Sequence, residues 1–135
     1  MKNKFDNFFM KIAIITSENS KSNRNKVGCI IVKNGNIISI GWNGTPHGFD
    51  NKCEDKNYNT IPEVIHAEEN AICKLAKSTN SSQDSTLYIT LSPCYNCAKL
   101  IIQSGIKRVV YLKEYRDIEP INFLRKANII CEKYN

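Results

Sequence analysis

The sequence predicts an α/β fold: a three-layer α-β-α sandwich whose mixed five-stranded sheet carries helices on both faces. Three observations predict it. Two β-branched runs flank Asn34-Gly35, the signal of an antiparallel hairpin. Three short apolar strands then alternate with helical segments, the pattern of parallel crossover units. One amphipathic segment precedes the hairpin, which gives the order α-β-β-α-β-α-β-α-β. The 135 residues are 41% hydrophobic. At roughly 100–200 residues per domain, they are expected to form one domain, 1–135, with its own core.

Each element has its own signal. Phe5, Phe8, Phe9, Ile12 and Ala13 recur at helical spacing and predict a first helix with that stripe inward. A polar stretch, 17–26, follows. Residues 27–33 and 37–42 are the hairpin strands. Residues 43–61 show no period, and a loop this long in a compact domain is usually functional or mobile. Pro62-Glu63 announces the second helix, which 66–77 carries with Ala67, Ala71, Ile72 and Leu75 on one side. After a polar turn at 78–85, residues 86–90 form a strand. Pro93 takes a first-turn position, and the helix at 94–104 closes at Gly105. A strand at 108–112, a helix at 119–127 and a strand at 128–132 complete the chain.

Charge and cysteines narrow the function. The net charge of +6 comes from 15 Lys and only 4 Arg, scattered without a run of five like charges. That pattern reads as a solvated lysine-rich surface and not as a nucleic-acid groove. No apolar run approaches the roughly 18 residues of a membrane span. The start, Met1-Lys2-Asn3-Lys4-Phe5, has no leader-like apolar region. A soluble, cytoplasmic protein without a membrane partner is expected. In such a compartment the six cysteines are free, and the close pair Cys94-Tyr95-Asn96-Cys97 reads as metal-binding or redox. Cys29, Cys73 and Cys131 are expected to pack as small core residues, and Trp42 to pack rather than stack on a ligand. Cys53 and His47 sit in the long loop without the extra ligands a second zinc would need.

His66-Ala67-Glu68 and Pro93-Cys94-Tyr95-Asn96-Cys97 open two consecutive helices. Cys94 and Cys97, at i and i+3, project from one face of a first turn, where the helix dipole favours thiolates. With His66 they fill three positions of a tetrahedral Zn²⁺ site and leave the fourth open, as a catalytic site requires. Residues at i and i+2 diverge by about 200° on a regular helix. His66 and Glu68 therefore share one site only if they straddle the helix start. Zinc lowers the pKa of a bound water from 15.7 to about 7, and Glu68 is then set to accept its proton. The combined pattern His-x-Glu … Pro-Cys-x-x-Cys is the established signature of zinc deaminases.

From about Ser20 to Cys131 the chain resembles the deoxycytidylate (dCMP) deaminase family of the cytidine/deoxycytidylate deaminase superfamily. Three segments carry the resemblance. They are Arg24-Asn25-Lys26-Val27-Gly28-Cys29-Ile30-Ile31-Val32, Gly41-Trp42-Asn43-Gly44-Thr45-Pro46-His47-Gly48, and Leu91-Ser92-Pro93-Cys94-Tyr95-Asn96-Cys97 with the helix that follows it to Lys107. The stretch Thr90-Leu91-Ser92-Pro93 with Asn96 before Cys97 departs from the pattern of tRNA adenosine deaminases. His66 stands where true cytidine deaminases usually carry Cys.

The resemblance implies a cytidine deaminase-like fold and hydrolysis of dCMP to dUMP and ammonia, feeding thymidylate synthesis. Viral and phage members also accept dCTP. It implies one catalytic zinc per subunit on His66, Cys94 and Cys97, with Glu68 protonating N3 and then the departing amine. The Ala67 backbone N–H is expected to meet the pyrimidine O2, Asn43 the 3′-OH, and Tyr115 the sugar. Arg24 and Arg116 are the candidates for the phosphate, which Arg reads bidentately. In regulated relatives the loop at Asn43, Gly44, Pro46 and Gly48 takes dCTP or dTTP as an effector, with Mg²⁺ accompanying the nucleotide. The enzyme is then a homo-oligomer, a hexamer by preference. The alternatives within the superfamily are a nucleic-acid or tRNA deaminase and a non-catalytic zinc module.

Overall fold

A computed structural model describes residues 3–135. β1 (Gly28–Lys33) and β2 (Asn36–Trp42) form the hairpin. Asn34 and Gly35 between them both take positive φ (51° and 78°), as a two-residue turn of this hand requires. β1 also pairs antiparallel with β3 (Thr86–Leu91). β3 pairs parallel with β4 (Arg108–Lys113), and β4 parallel with β5 (Ile130–Lys133). The sheet order is β2-β1-β3-β4-β5. α2 (Ala67–Leu75) leads from the hairpin to β3, and α3 (Tyr95–Gln103) and α4 (Glu119–Lys126) cross between the parallel strands.

Side chains alternate across the sheet. Cys29, Ile31, Leu87, Ile89, Val109 and Cys131 face α2, α3 and α4, joining Ala71, Ile101 and Leu124 in one buried cluster. Ile30, Val32, Tyr88 and Val110 face the other way, under Phe9, Met10 and Ala13 of α1 (Asp6–Ser17). The result is the expected α-β-α sandwich, with one helix on one face and three on the other. A Cβ at Gly28 would run into the α1 backbone at Ala13 and Ser17, so this glycine lets the helix lie close on β1. No described helix is long and apolar enough to cross a membrane.

The rotation of α1 differs from the expected one. Phe9 and Ala13 are buried, but Phe5 and Phe8 are 51% and 56% exposed, and Asp6, Met10 and Thr16 take the inward positions. The cause is polar. Arg108 on β4 donates from Nη1 and Nη2 to the two Asp6 carboxylate oxygens (2.9 and 2.7 Å). The Tyr88 hydroxyl donates to Asp6 Oδ1 at 2.6 Å. Arg108 Nε donates to Glu132 Oε1 at 2.9 Å. A stripe read from apolar residues alone omits the aspartate that turns this helix. Cys73 also departs from expectation: it is exposed on α2 because the inward positions belong to Ala67, Ala71 and Leu75.

Burial alone would raise the Asp6 carboxyl, but the Arg108 and Tyr88 hydrogen bonds more than offset it and hold it below the ordinary value. Removing one partner of a buried pair strands the other charge. Arg108 keeps Glu132 as a partner, so Asp6→Asn is expected to destabilise the fold by about 2 kcal/mol at pH 7 in urea melts. Because the folded carboxyl is the stronger acid, its contribution is full above about pH 4 and is lost as pH falls through the depressed folded value. The gap between wild type and Asp6→Asn should narrow below that pH. A gap that stays constant down to pH 3 would show that the ion pair does not set it.

Candidate metal centre and substrate cleft

Two helix starts build the centre. His66 is the N-cap of α2 and Cys94 the N-cap of α3, both with extended backbone (φ −76°, ψ 160° and φ −79°, ψ 174°). Their carbonyls already accept the first helical bonds, from Asn70 N–H and Ala98 N–H, both at 2.9 Å. The non-helical N-cap swings its side chain over the helix end and not along its flank. So His66 and Glu68 straddle the start of α2 and line one cleft. Pro62 does not open this helix: 62–63 form a turn, and Ile65 pairs with Gly44 in an isolated bridge before the cap. Likewise Pro93 precedes the cap of α3 and does not occupy its first turn.

Other residues fix these starts. Glu69, at the third position of α2, accepts the His66 N–H at 2.7 Å, half of a capping box. Gly41 on β2 has no room for a side chain: a Cβ there would lie 2.5 Å from the Ala67 carbonyl oxygen and 2.6 Å from Ala71 N. That contact seats the first turn of α2 on the sheet. Ser92 N–H donates to the Lys113 carbonyl at 2.9 Å, and Ser92 Oγ accepts the Tyr115 N–H at 2.7 Å. The approach to Cys94 is thereby tied to the loop after β4. The Glu69 signal was present in the sequence as an acid three residues after the cap; the Gly41 and Ser92 contacts are long-range and left none.

The donor atoms suit zinc. His66 Nδ1 lies 3.5 Å from Cys94 Sγ and 3.3 Å from Cys97 Sγ. One donor atom from each of the three residues falls within 4.8 Å of the others. Tetrahedral zinc with ordinary Zn–N and Zn–S bonds needs nitrogen–sulfur edges of about 3.5 Å. Among the described residues this is the one such group, and neither Cys53 nor His47 joins another.

Hydrogen bonds also link the three donors. Hydrogen bonds from Cys97 and His66 lower the Cys94 thiol to about 3. The hydrogen bond to Cys94, with burial, raises the Cys97 thiol far above its ordinary range. The hydrogen bond to Cys94 raises His66 to about 9. Glu68 is 4% exposed, and burial raises its carboxyl to about 7.

A cleft of about 200 Å³ adjoins the donors. Of the expected substrate residues, Arg24, Asn43, Ala67 and Tyr115 line it. Arg116 does not line it; its guanidinium sits 5.7 Å from the centroid of the Tyr115 ring. Asn43 is partly committed: Oδ1 accepts the Val27 N–H at 2.9 Å and Nδ2 donates to the Asn25 carbonyl at 2.7 Å. One amide hydrogen and one lone pair remain. Gly44, Pro46 and Gly48 lie outside the cleft lining. Trp42 packs under the Lys74 ammonium, 4.7 Å from the ring centroid.

The cytidine and deoxycytidylate deaminase zinc-binding region matches residues 3–113. A deoxycytidylate deaminase of Saccharomyces cerevisiae is 33% identical over all of this chain and 46% of its own length. A probable deoxycytidylate deaminase of Caenorhabditis elegans is 44% identical over 81% of this chain and 57% of its own. The chain thus spans about half the length of these curated relatives. The crystal structure of dCMP deaminase from the cyanophage S-TIM5, in complex with dCMP and dUMP, superposes with a TM-score of 0.95 at 46% identity over 99% of both chains.

Because His66 and Cys97 hold protons at neutral pH and Cys94 does not, zinc must displace about two protons on binding. Calorimetric titration of the metal-free chain in buffers of different ionisation enthalpy should show that release at one zinc per chain. Cys97→Ser should lose most of the bound zinc on dialysis. Full retention by that variant would remove Cys97 from the ligand set.

Proposed function

The chain belongs to the cytidine and deoxycytidylate deaminase family, and on that premise we propose that it hydrolyses dCMP to dUMP and ammonia. The observation that carries this reading is one cleft lined by His66, Cys94, the buried Glu68 and a single arginine, with the Cys97 sulfur beside the His66 ring. The cyanophage structure with dCMP and dUMP supports the same substrate and product.

His66, Cys94 and Cys97 would hold the zinc, which when bound makes a water acidic enough to serve as nucleophile near neutral pH. Glu68 takes the water's proton and delivers it to N3 as C4 gains oxygen. It then takes the remaining proton of the new C4 hydroxyl and passes it to the 4-amino group; the C4–N bond breaks, ammonia leaves, C4 becomes a carbonyl, and the carboxyl ends as it began. Its buried position beside the donor set lets one carboxyl serve both transfers. The Ala67 N–H orients the pyrimidine through O2. The remaining amide hydrogen and lone pair of Asn43 meet the 3′-OH, and the Tyr115 ring packs on the sugar. Arg24 pairs with the phosphate; Arg116, outside the cleft lining, acts through the Tyr115 ring it lies against.

The same reading carries assembly and control to this chain. It forms a homo-oligomer, with a hexamer favoured. The loop at Asn43, Gly44, Pro46 and Gly48, which starts at the cleft, takes dCTP or dTTP with Mg²⁺.

An ultraviolet deamination assay on zinc-loaded protein tests the reading, with dCMP, dCTP, deoxycytidine and a cytosine-containing single strand in parallel. Preference for dCMP is expected; turnover of deoxycytidine or of the strand alone would overturn the nucleotide reading. Glu68→Gln should lower kcat by about 10²–10⁴-fold or more while zinc content stays at one per chain. Loss of zinc with Glu68→Gln would assign that residue a structural role. Arg24→Gln should raise KM for dCMP by about tenfold or more with little change in kcat, and an unchanged KM would remove Arg24 from the phosphate site.

A further inference from the structure

The segment that presents Arg24 has no secondary structure of its own. Residues 20–27 belong to neither helix nor strand, so no ladder fixes their backbone. Asn43 holds its far end at Asn25 and Val27, and a carboxylate thirty residues further along the chain holds 22–24. Glu54 is 5% exposed. Its Oε2 accepts the Ser22 hydroxyl at 2.9 Å, the Asn23 N–H at 3.0 Å and the Arg24 N–H at 3.3 Å. Ser22 Oγ in turn accepts the Asn25 N–H at 3.4 Å. The backbone of Glu54 is held by an isolated bridge to Thr60, which lines the cleft as Ser22, Arg24 and Asn25 do. Glu54 itself does not line it.

We infer that Glu54 is a positioning residue for phosphate recognition: its carboxylate folds the 22–25 segment so that Arg24 is aimed into the cleft. The inference rests on the dCMP reading above. Three donors converge on one oxygen, an arrangement an anion stabilises better than a neutral acceptor. Burial raises the Glu54 carboxyl, and the Ser22, Asn23 and Arg24 donors bring it below its ordinary value, so it is charged at neutral pH. Two amides of the segment point at Glu54, which fixes the peptide planes on both sides of Asn23. Without the carboxylate those amides turn to water, and the Arg24 side chain loses a fixed origin. The metal centre stands on α2 and α3 and has no hydrogen bond to this segment, so zinc and kcat should be spared.

The experiment compares wild type, Glu54→Ala, Glu54→Gln and Glu54→Asp in zinc content, kcat and KM for dCMP. It adds the affinities for dUMP and for deoxyuridine, which lacks the phosphate. For Glu54→Ala the expected result is full zinc, kcat within about threefold and KM raised about tenfold. The preference for dUMP over deoxyuridine should shrink by the same factor. Glu54→Gln, which keeps an acceptor without the charge, should fall between. Should Glu54→Ala not fold, the Gln and Asp variants carry the test with KM rises of about threefold. An active wild type beside variants of unchanged KM overturns the proposal alone, as does a fall in kcat that tracks lost zinc. A wild type inactive on dCMP overturns the underlying reading and the proposal with it.

Discussion

The centre depends on one backbone feature, used twice: an extended N-cap residue that carries a metal donor. A donor at an N-cap hangs over the end of its helix, where the first-turn side chains also converge. His66 can therefore share a cleft with Glu68 and Cys94, while Cys97, buried behind that lining, brings its sulfur to the His66 ring, without bending either helix. The two caps must also meet. Both helices lie on one face of the sheet, α2 over the hairpin and α3 over the parallel strands. Gly41 lets α2 settle against β2 by leaving the space that the Ala67 carbonyl occupies. A helix lifted off the sheet at that point would carry His66 away from two sulfurs that lie 3.3 and 3.5 Å from its ring nitrogen.

Most of this architecture was legible in the sequence. The hairpin followed from Asn34-Gly35 and the crossovers from strand–helix alternation, because those signals are local. The failures share a different cause. The rotation of α1 was misread because its buried stripe contains Asp6, and only the pairing with Arg108, 102 residues away, makes an inward aspartate tolerable. Pro93 reads as a first-turn residue and Pro62 as the signal that announces α2, yet each lies in the chain leading to an N-cap. Cys73 reads as a core residue, yet Ala67, Ala71 and Leu75 take the inward positions of α2 and leave it exposed.

In the site, the donor set and its carboxylate were legible because each helix start carries its chemistry within four residues. The support was not. Residues 43–61 read as an aperiodic loop, yet the Gly44–Ile65 and Glu54–Thr60 bridges pin it. Its buried carboxylate anchors the segment before β1. Asn43 shows the same limit. Its identity suggested a ligand contact, but half of its hydrogen-bonding capacity holds residues 25–27 in place. A side chain that shapes the cleft wall and also faces the cleft is set more rigidly than one that does the second alone.

Charge placement separates the partners this cleft suits. A zinc dication with two thiolates and the Glu68 carboxylate sums to about −1 locally when that carboxyl is ionised. An anionic substrate gains nothing at that end and needs a cation elsewhere. The chain as a whole carries +6, yet among the described residues Arg24 is the one lysine or arginine lining the cleft. A strand of nucleic acid is held by several cations tracking successive phosphates, and its affinity scales with their number. One arginine in a forked geometry matches one phosphate. The excess of lysine therefore belongs to the solvated surface. For the proposed substrate, selectivity for a monophosphate would rest on how firmly this single guanidinium is aimed, and the Glu54 carboxylate outside the cleft lining would supply that aim.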